Sequence, residues 1–242
     1  MGSIDIRLQE VKGRIGAALA TAGRPAHIRT HTAAAGDEQG ITLLAVSKTF
    51  GADAVRAAHA AGHLAFGENY VQEALAKIAA TVDLRPAIEW HLIGPLQSNK
   101  TRAVAEAFDW VHTIDRLKIA ERLAEQRPAA MPPLGLCLQV NVSGEASKGG
   151  VNLADAPALA RALAALPATR VRLRGLMSIP EPASGAAAQR APHRVLRELL
   201  ASLNSGGLEL DTLSMGMSAD LEAAVAEGAT LVRVGTAIFG SR

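Results

Sequence analysis

Eight short apolar runs, separated by stretches of helical periodicity, constrain this chain more than any other feature. The runs cover residues 41–46, 63–66, 88–93, 110–114, 134–140, 171–179, 210–215 and 231–239. The stretches between them cover 52–61, 69–80, 98–107, 116–126, 153–166, 189–203 and 218–227. Strands that alternate with helices pair in parallel through right-handed crossovers. Eight of them predict an α/β fold, a single (β/α)8 barrel of the TIM type, with an open doubly wound sheet as the alternative of equal periodicity. Gly62 and Gly228 stand where helix C-terminal caps belong. Ahead of the first run, Ile4, Leu8, Val11, Ile15 and Leu19 share one helical face, so an extra N-terminal helix is expected. Gly23 and Pro25 stop it, and residues 24–40 read as an irregular, mobile loop. No break in composition divides the chain, so residues 1–242 are expected to form one domain: helix and loop over 1–40, barrel over 41–242.

Composition narrows the function classes. An apolar fraction of 49% with 20% charged residues is globular rather than disordered usage. Lys and Arg number 25 against 23 Asp and Glu, and the signs are interspersed. Without a basic stripe, neither nucleic acid nor an anionic membrane is an expected partner. The one cysteine, Cys137, excludes an intrachain disulfide and, inside an apolar run, is expected to be a small core residue. Asp5, Arg7, Glu10, Lys12 and Arg14 leave no apolar stretch for a signal peptide, and no run is long enough to span a bilayer. A cytoplasmic protein is the expectation.

In a parallel barrel all strand carboxyl ends share one face, so polar residues distant in sequence converge there. Lys48 follows the first run, flanked by Ser47 and Thr49 with no acid beside it. A lysine in such a place is ordinarily solvated. Partly buried, it would be a neutral nucleophile able to hold a carbonyl compound as a Schiff base. Ser214, Met215, Gly216, Met217 and Ser218 follow the seventh run and precede a helix that carries Asp220 and Glu222. They read either as a tight turn with Ser218 as N-cap or, with Gly235 and Thr236, as an anion cradle of backbone N–H groups and hydroxyls. Arg233 on the eighth run is either an ion-paired arginine or a donor to a pyridine nitrogen. A guanidinium cannot accept a proton, so such a ring would stay neutral and be a weak electron sink. Asn69 reads as a helix N-cap or as a partner for a phenolic oxygen, and His91 as a core histidine or a site group. Met177, Ser178, Met215 and Met217 line the same end, as do Thr113 and Asn141. His112, Trp90 and Trp110 are read as structural. The polar loop over 141–150 is either a solvent loop or a lid whose Lys148 is a second amine near the mouth. An amine, a phosphate cradle and a ring-nitrogen partner together suit pyridoxal 5'-phosphate (PLP).

At these residues the sequence resembles the pyridoxal phosphate homeostasis family, whose members look like the barrel domain of alanine racemase standing alone. The matching segments are LAVSKT at 44–49, FGENYVQE at 66–73, WHLIGPLQSNK at 90–100, QVN at 139–141 with Lys148 and Gly149, GLMS at 175–178, LSMGMSAD at 213–220 and VRVGTAIFG at 232–240. The resemblance implies that Lys48 bears PLP, that Arg233 faces the pyridine nitrogen, and that Ser214, Gly235 and Thr236 belong to the phosphate cradle. It also implies a protein that binds, buffers and transfers PLP, affects amino-acid and keto-acid balance, and has apo PLP-dependent enzymes as possible recipients. The stretch over 27–39 looks longer than is usual in the family.

Two enzymatic readings compete with a carrier. Racemisation by two bases needs an acid/base on each face of the substrate α-carbon. In alanine racemase the second is a tyrosine from another domain of the partner subunit. Too few residues follow the eighth run for such a domain, and the one tyrosine, Tyr70, stands beside Asn69. A non-enzymatic carrier and a monomer are therefore expected. A Schiff-base aldolase would need a carboxylate at the mouth, for which Glu68 is the obvious candidate.

Overall fold

The computed structural model describes residues 3–32, 40–145 and 149–240. Helix α1 (Ile4–Thr21) starts at Ser3, whose hydroxyl accepts from the Ile6 amide, and buries Leu8, Val11, Ile15, Ala18 and Leu19 along one stripe. Each large member of such a stripe contributes roughly 1.5–3 kcal/mol on burial. Then come β1 (Ile28–Arg29), β2 (Ile41–Val46), α2 (Ala52–Ala60), β3 (Ala65–Glu68), α3 (Val71–Ala80) and β4 (Glu89–Leu92). The middle of the chain gives α4 (Thr101–Ala107), β5 (Trp110–Ile114), α5 (Leu117–Gln126), β6 (Leu134–Asn141), β7 (Val151–Asn152) and α6 (Ala156–Ala164). The last part gives β8 (Val171–Met177), α7 (Ala186–Ser205), β9 (Thr212–Ser214), α8 (Leu221–Ala226), β10 (Leu231–Val234) and α9 (Thr236–Phe239).

Strands β2, β3, β4, β5, β6, β8, β9 and β10 pair in that circular order, all parallel, and β2 closes the ring by pairing with both β3 and β10. This is the eight-stranded barrel that the alternation predicts. Side chains alternate across each strand. Outward residues such as Leu43, Phe66, Trp90, Val111, Leu136 and Val232 pack with the helix stripes in the main core. Two smaller apolar clusters form apart from that core, and the alternation places them in the lumen: Leu44, Val46, Ala65, Ile93 and Leu231, and Trp110 with Cys137 and Met177. Buried Cys137 is thus the small core residue expected, its thiol pushed up to about 12 by burial. No helix among the described residues is long and apolar enough to cross a membrane.

Three expectations need correction. The stretch after α1 is not an irregular loop throughout: β1 pairs with β2 (Ile28↔Ile41), and Arg29 reaches Thr42 and the Thr230 carbonyl. These contacts are long-range and leave no periodic trace. Residues 33–39 of that stretch lie outside the described ones. The eighth run is not strand to residue 239: β10 ends at Val234, and α9 follows, with Ile238 and Phe239 amides donating to the Gly235 carbonyl. A short apolar run buried on all sides looks the same as strand or helical turn. Third, the helix placed at 189–203 begins at Ala186, so Pro192 lies inside α7 rather than in its first turn.

Candidate functional site

The turn after β2 carries Lys48. Val46 belongs to a lumen cluster, and the Ser47 hydroxyl reaches Glu68 in the layer between barrel and helices, so Lys48 falls on the lumen side at the mouth. Its neighbours are clamped. Ser47 donates its amide to the Gly67 carbonyl at 3.0 Å and its hydroxyl to Glu68 Oε1 at 2.5 Å, while its carbonyl accepts from Lys77 Nζ at 2.7 Å. The Thr49 amide donates to Glu73 Oε1, and Thr49 is held at φ 72°. Lys77 Nζ also meets Glu68 Oε1 at 2.5 Å and Glu73 Oε1 at 3.2 Å. Burial raises the Glu68 carboxyl above its ordinary range, partly opposed by Lys77. Lys48 itself is exposed and has no hydrogen bond or ion pair among the described residues. The expected desolvation of this amine is therefore corrected: Ser47 takes the buried position and the turn lifts Lys48 clear.

Asn69 is not the cap of α3, which starts at Val71 behind Tyr70. Its backbone packs against Gly94, where an added Cβ would lie 2.0 Å from the Asn69 carbonyl oxygen. Its side-chain Oδ1 is buried without a partner. Ser178 Oγ is orphaned in the same way. Unpaired buried polar atoms are costly, and their presence at strand ends marks places where a ligand's polar groups would be accommodated.

Arg233 is 3% exposed and makes its bonds within the barrel. Nη1 donates to the Ser214 carbonyl and hydroxyl at 2.6 and 2.7 Å, and Nη2 to the Ser178 carbonyl at 2.8 Å. Burial lowers its pKa to about 10, which leaves it cationic at neutral pH. Three donated bonds leave Nε–H and one Nη2–H of the five guanidinium hydrogens. His112 Nδ1 sits 2.8 Å from Ser214 Oγ, and His91 Nδ1 sits 2.9 Å from His112 Nε2. His112 is thus joined to the Arg233 region, where the sequence suggested a purely structural role. Burial, aided by neighbouring His91 and the Arg233 charge, drives its pKa well down.

The Ser214 loop does not use Ser218 as a cap. Helix α8 begins at Leu221, and Asp220 Oδ1 accepts from the Met217 amide at 2.7 Å while Oδ2 meets His193 Nε2 at 2.9 Å. Gly216 has φ 90°, and a Cβ there would lie 2.5 Å from that of Ala224, so the loop needs glycine. A Cβ on Gly235 would lie 3.1 Å from the Val46 carbonyl oxygen, which puts the end of β10 against the strand that leads to Lys48. Thr236 is exposed beside it. Met215 is buried in the outer core and Met177 in the lumen, so neither lines the mouth as a free surface. Met217 is half-buried. On β6, Asn141 holds its own loop through the Glu145 carbonyl and the Gly144 amide. Lys148 lies outside the described residues.

The clamp of Glu68, Glu73 and Lys77 escaped the sequence reading. Its signal was a lysine at the place on α3 where the Val71 and Ala74 stripe calls for an apolar residue. Taken together, an unpaired mouth amine, a buried cation with spare donors, two orphaned polar side chains and a glycine loop fit an aldehyde-bearing pyridine phosphate. Among the described residues no His, Cys, Asp and Glu group could hold a metal ion.

Fold and mouth define a class: parallel (β/α)8 barrels with a lysine just after the first barrel strand and a buried arginine on the last. The family model for the alanine racemase N-terminal domain matches residues 25–242. The chain is 63% identical over 218 residues to the pyridoxal phosphate homeostasis protein of Pseudomonas aeruginosa, covering 90% of this chain and 92% of that one. It is 50% identical over 243 residues to the protein of the same description from Escherichia coli K12, covering 100% and 98%. The structure of PipY from Synechococcus elongatus PCC7942 with PLP bound superposes with a TM-score of 0.76 at 42% identity, covering 93% of this chain and 100% of that chain. The chain belongs to the alanine racemase N-terminal domain family and, within it, to the pyridoxal phosphate homeostasis proteins.

Proposed function

We propose that this protein binds PLP on Lys48, buffers it and hands it to other proteins, in support of vitamin B6 and amino-acid/keto-acid homeostasis. The observation that carries the reading is Lys48: an unpaired amine at the barrel mouth whose flanking backbone is clamped on both sides. The PLP-bound state of PipY supports the choice of cofactor. When bound, PLP supplies an aldehyde that condenses with an amine, with loss of water, to a Schiff base, and a ring that draws electrons.

The residues around the mouth then have distinct tasks. Lys48 supplies the amine. Arg233 offers its spare N–H to the pyridine nitrogen and, unable to take up or give a proton there, keeps the ring neutral. Gly216, Gly235 and Thr236 receive the phosphate, while the Ser214 hydroxyl, engaged by Arg233 and His112, holds the strand end beneath them, and Asn69 meets the phenolic oxygen. His91 acts from below, through His112, and Met177, Ser178, Met215 and Met217 hold the walls in place. A neutral ring favours holding the cofactor over carbanion chemistry, which supports a carrier over an enzyme. Glu68 is engaged by Lys77 and Ser47 in the outer layer, which disfavours the aldolase reading. The chain's one tyrosine, Tyr70, is 58% exposed at the start of α3, which offers little to a racemase.

The deciding experiment is the visible spectrum of the protein with PLP before and after borohydride, with peptide mapping. A yellow protein whose reduced label maps to Lys48 supports the reading, and release of PLP to an added apo-enzyme supports the carrier role. A colourless protein sinks the reading, and turnover of amino acids by the PLP-loaded protein would make it an enzyme. The proposed carrier is a cytoplasmic monomer, and size-exclusion chromatography tests its monomeric state.

A further inference from the structure

A series of polar contacts runs through the lumen from Arg233 toward the amino-terminal floor of the barrel. Arg233 Nη1 donates to Ser214 Oγ at 2.7 Å, Ser214 Oγ and His112 Nδ1 are 2.8 Å apart, and His112 Nε2 and His91 Nδ1 are 2.9 Å apart. His91 Nε2 then approaches Glu89 Oε2 at 3.3 Å, without hydrogen-bond alignment. Glu89 also accepts from Trp110 Nε1 at 2.9 Å and from the amide and hydroxyl of Thr32, on the segment that follows β1. Arg233, Ser214, His112 and His91 are all buried.

The direction of the bonds is set by the two ends together. A guanidinium only donates, so Ser214 Oγ accepts from Arg233; toward His112 Nδ1 it either donates its own hydrogen or accepts on its second lone pair, and the carboxylate end selects the first. His112 then carries its hydrogen on Nε2 and presents it to His91 Nδ1. His91 in turn carries its hydrogen on Nε2, facing the carboxylate. In the opposite polarity a neutral His91 would turn a lone pair toward Glu89. Only the first arrangement satisfies each contact with neutral imidazoles.

The two ends are a cation and an anion. Among the described residues no carboxylate bonds to Arg233; its bonds go to Ser214 and Ser178, and the acid whose charge acts on it is Asp220. The other charged or titratable groups near the series are Asp220, Cys137 and, on the floor, Arg174, which is paired with Asp211 and lies over the Trp110 ring. Burial would raise Glu89, but His91 and Thr32 hold its carboxyl at about 2.

We propose that Glu89 fixes the polarity of the series that ends on Arg233, through Ser214, His112 and His91 with both imidazoles as Nε2–H tautomers, and that Glu89, His91 and His112 are positioning residues for the guanidinium at the mouth. The tautomers follow from the chain itself; the consequence for PLP rests on the reading given above. Thr32, at the barrel floor, thereby bears on a site at the opposite end.

The test is long-range 1H–15N NMR of the imidazoles in the protein without PLP at neutral pH, with the two signals assigned by their loss in His91→Asn and His112→Asn. Both rings are expected neutral with the hydrogen on Nε2. An Nδ1–H tautomer or an imidazolium at either position overturns the proposal; the tautomers are read on the unsubstituted protein, and the variants serve only to assign the signals. In a second arm, Glu89→Gln is expected to shift the His91 and His112 signals and to weaken PLP binding by about tenfold, in the range of couplings between separated sites, with Glu89→Asp restoring both. Unchanged signals and affinity in Glu89→Gln would refute the role of Glu89 in the series. A protein that takes up no PLP yet shows both Nε2–H tautomers would sink the cofactor reading while supporting the relay.

Discussion

Lys77 stands on the buried face of α3 in line with Val71 and Ala74, yet it is charged and meets Glu68, Glu73 and the Ser47 carbonyl. Removing one partner of such a buried pair leaves an uncompensated charge, at a cost of roughly 3 kcal/mol or more. Lys77→Met is therefore expected to lower stability to chemical denaturation by about that amount. Glu68→Gln in the same chain should recover much of the loss, since the stranded carboxylate is then gone. A double variant no more stable than Lys77→Met would show that the pair is not the source. Lys48→Ala touches an exposed side chain without partners, so its effect on stability should stay within about 0.5 kcal/mol. The same variant should lose all PLP trapped by borohydride while keeping weak binding through the phosphate. Label that persists on another lysine would contradict the assignment.

The elements that build the mouth are short, and loops between them carry the conformational constraints. Between β9 and α8 the chain turns at Gly216 with φ 90° and with Ala224 in the way of any side chain. Gly216→Ala is expected to cost about 1–3 kcal/mol in stability, because an L-residue is strained there and the loop must shift. PLP affinity should fall with it, measured by equilibrium absorbance. Unaltered affinity in a folded Gly216→Ala protein would remove the loop from the cradle. Asp220 fixes the same turn from the other side by accepting from the Met217 amide. A serine such as Ser218 three residues ahead of Leu221 looks like a cap in sequence, but the helix starts later and its acid faces back into the loop.

Across the whole molecule, buried ionisable groups set the response to acid. His63 is 1% exposed, bonds the Ala65 carbonyl, and is lowered by burial to about 4 from an ordinary 6.5. Between those values the unfolded chain takes up a proton that the folded one refuses, so stability is lost as pH falls from 6.5 to 4. The slope is at most about 1.4 kcal/mol per pH unit for each such histidine. His112 acts in the same direction. Glu89, held at about 2 against an ordinary 4.5, adds stability that is complete above 4.5 and is lost as pH falls toward 2. Thermal melts should therefore drop steadily below pH 6.5, and His63→Gln should flatten part of that slope. A melt independent of pH from 6.5 to 4 would contradict this account.

The barrel was legible because its evidence is local. The run over 110–114 is β5 residue for residue, and Gly62 and Gly228 both follow helices with positive φ, as caps do. Periods of two and near four are written within a few residues, and parallel closure follows from their alternation. The strand-end position of Lys48 and Arg233 was legible for the same reason. What those residues touch was not. Lys77, Glu68 and Ser47 meet from α3, β3 and the turn after β2, and Glu89, His91, His112, Ser214 and Arg233 come from four strands that only the closed ring brings together. Amphipathic periodicity is set by where water is excluded along one element, so sequence alone determined the strands, the helices and their order. Which polar groups share the dry lumen depends on register and closure between distant strands, and only the tertiary structure decided that.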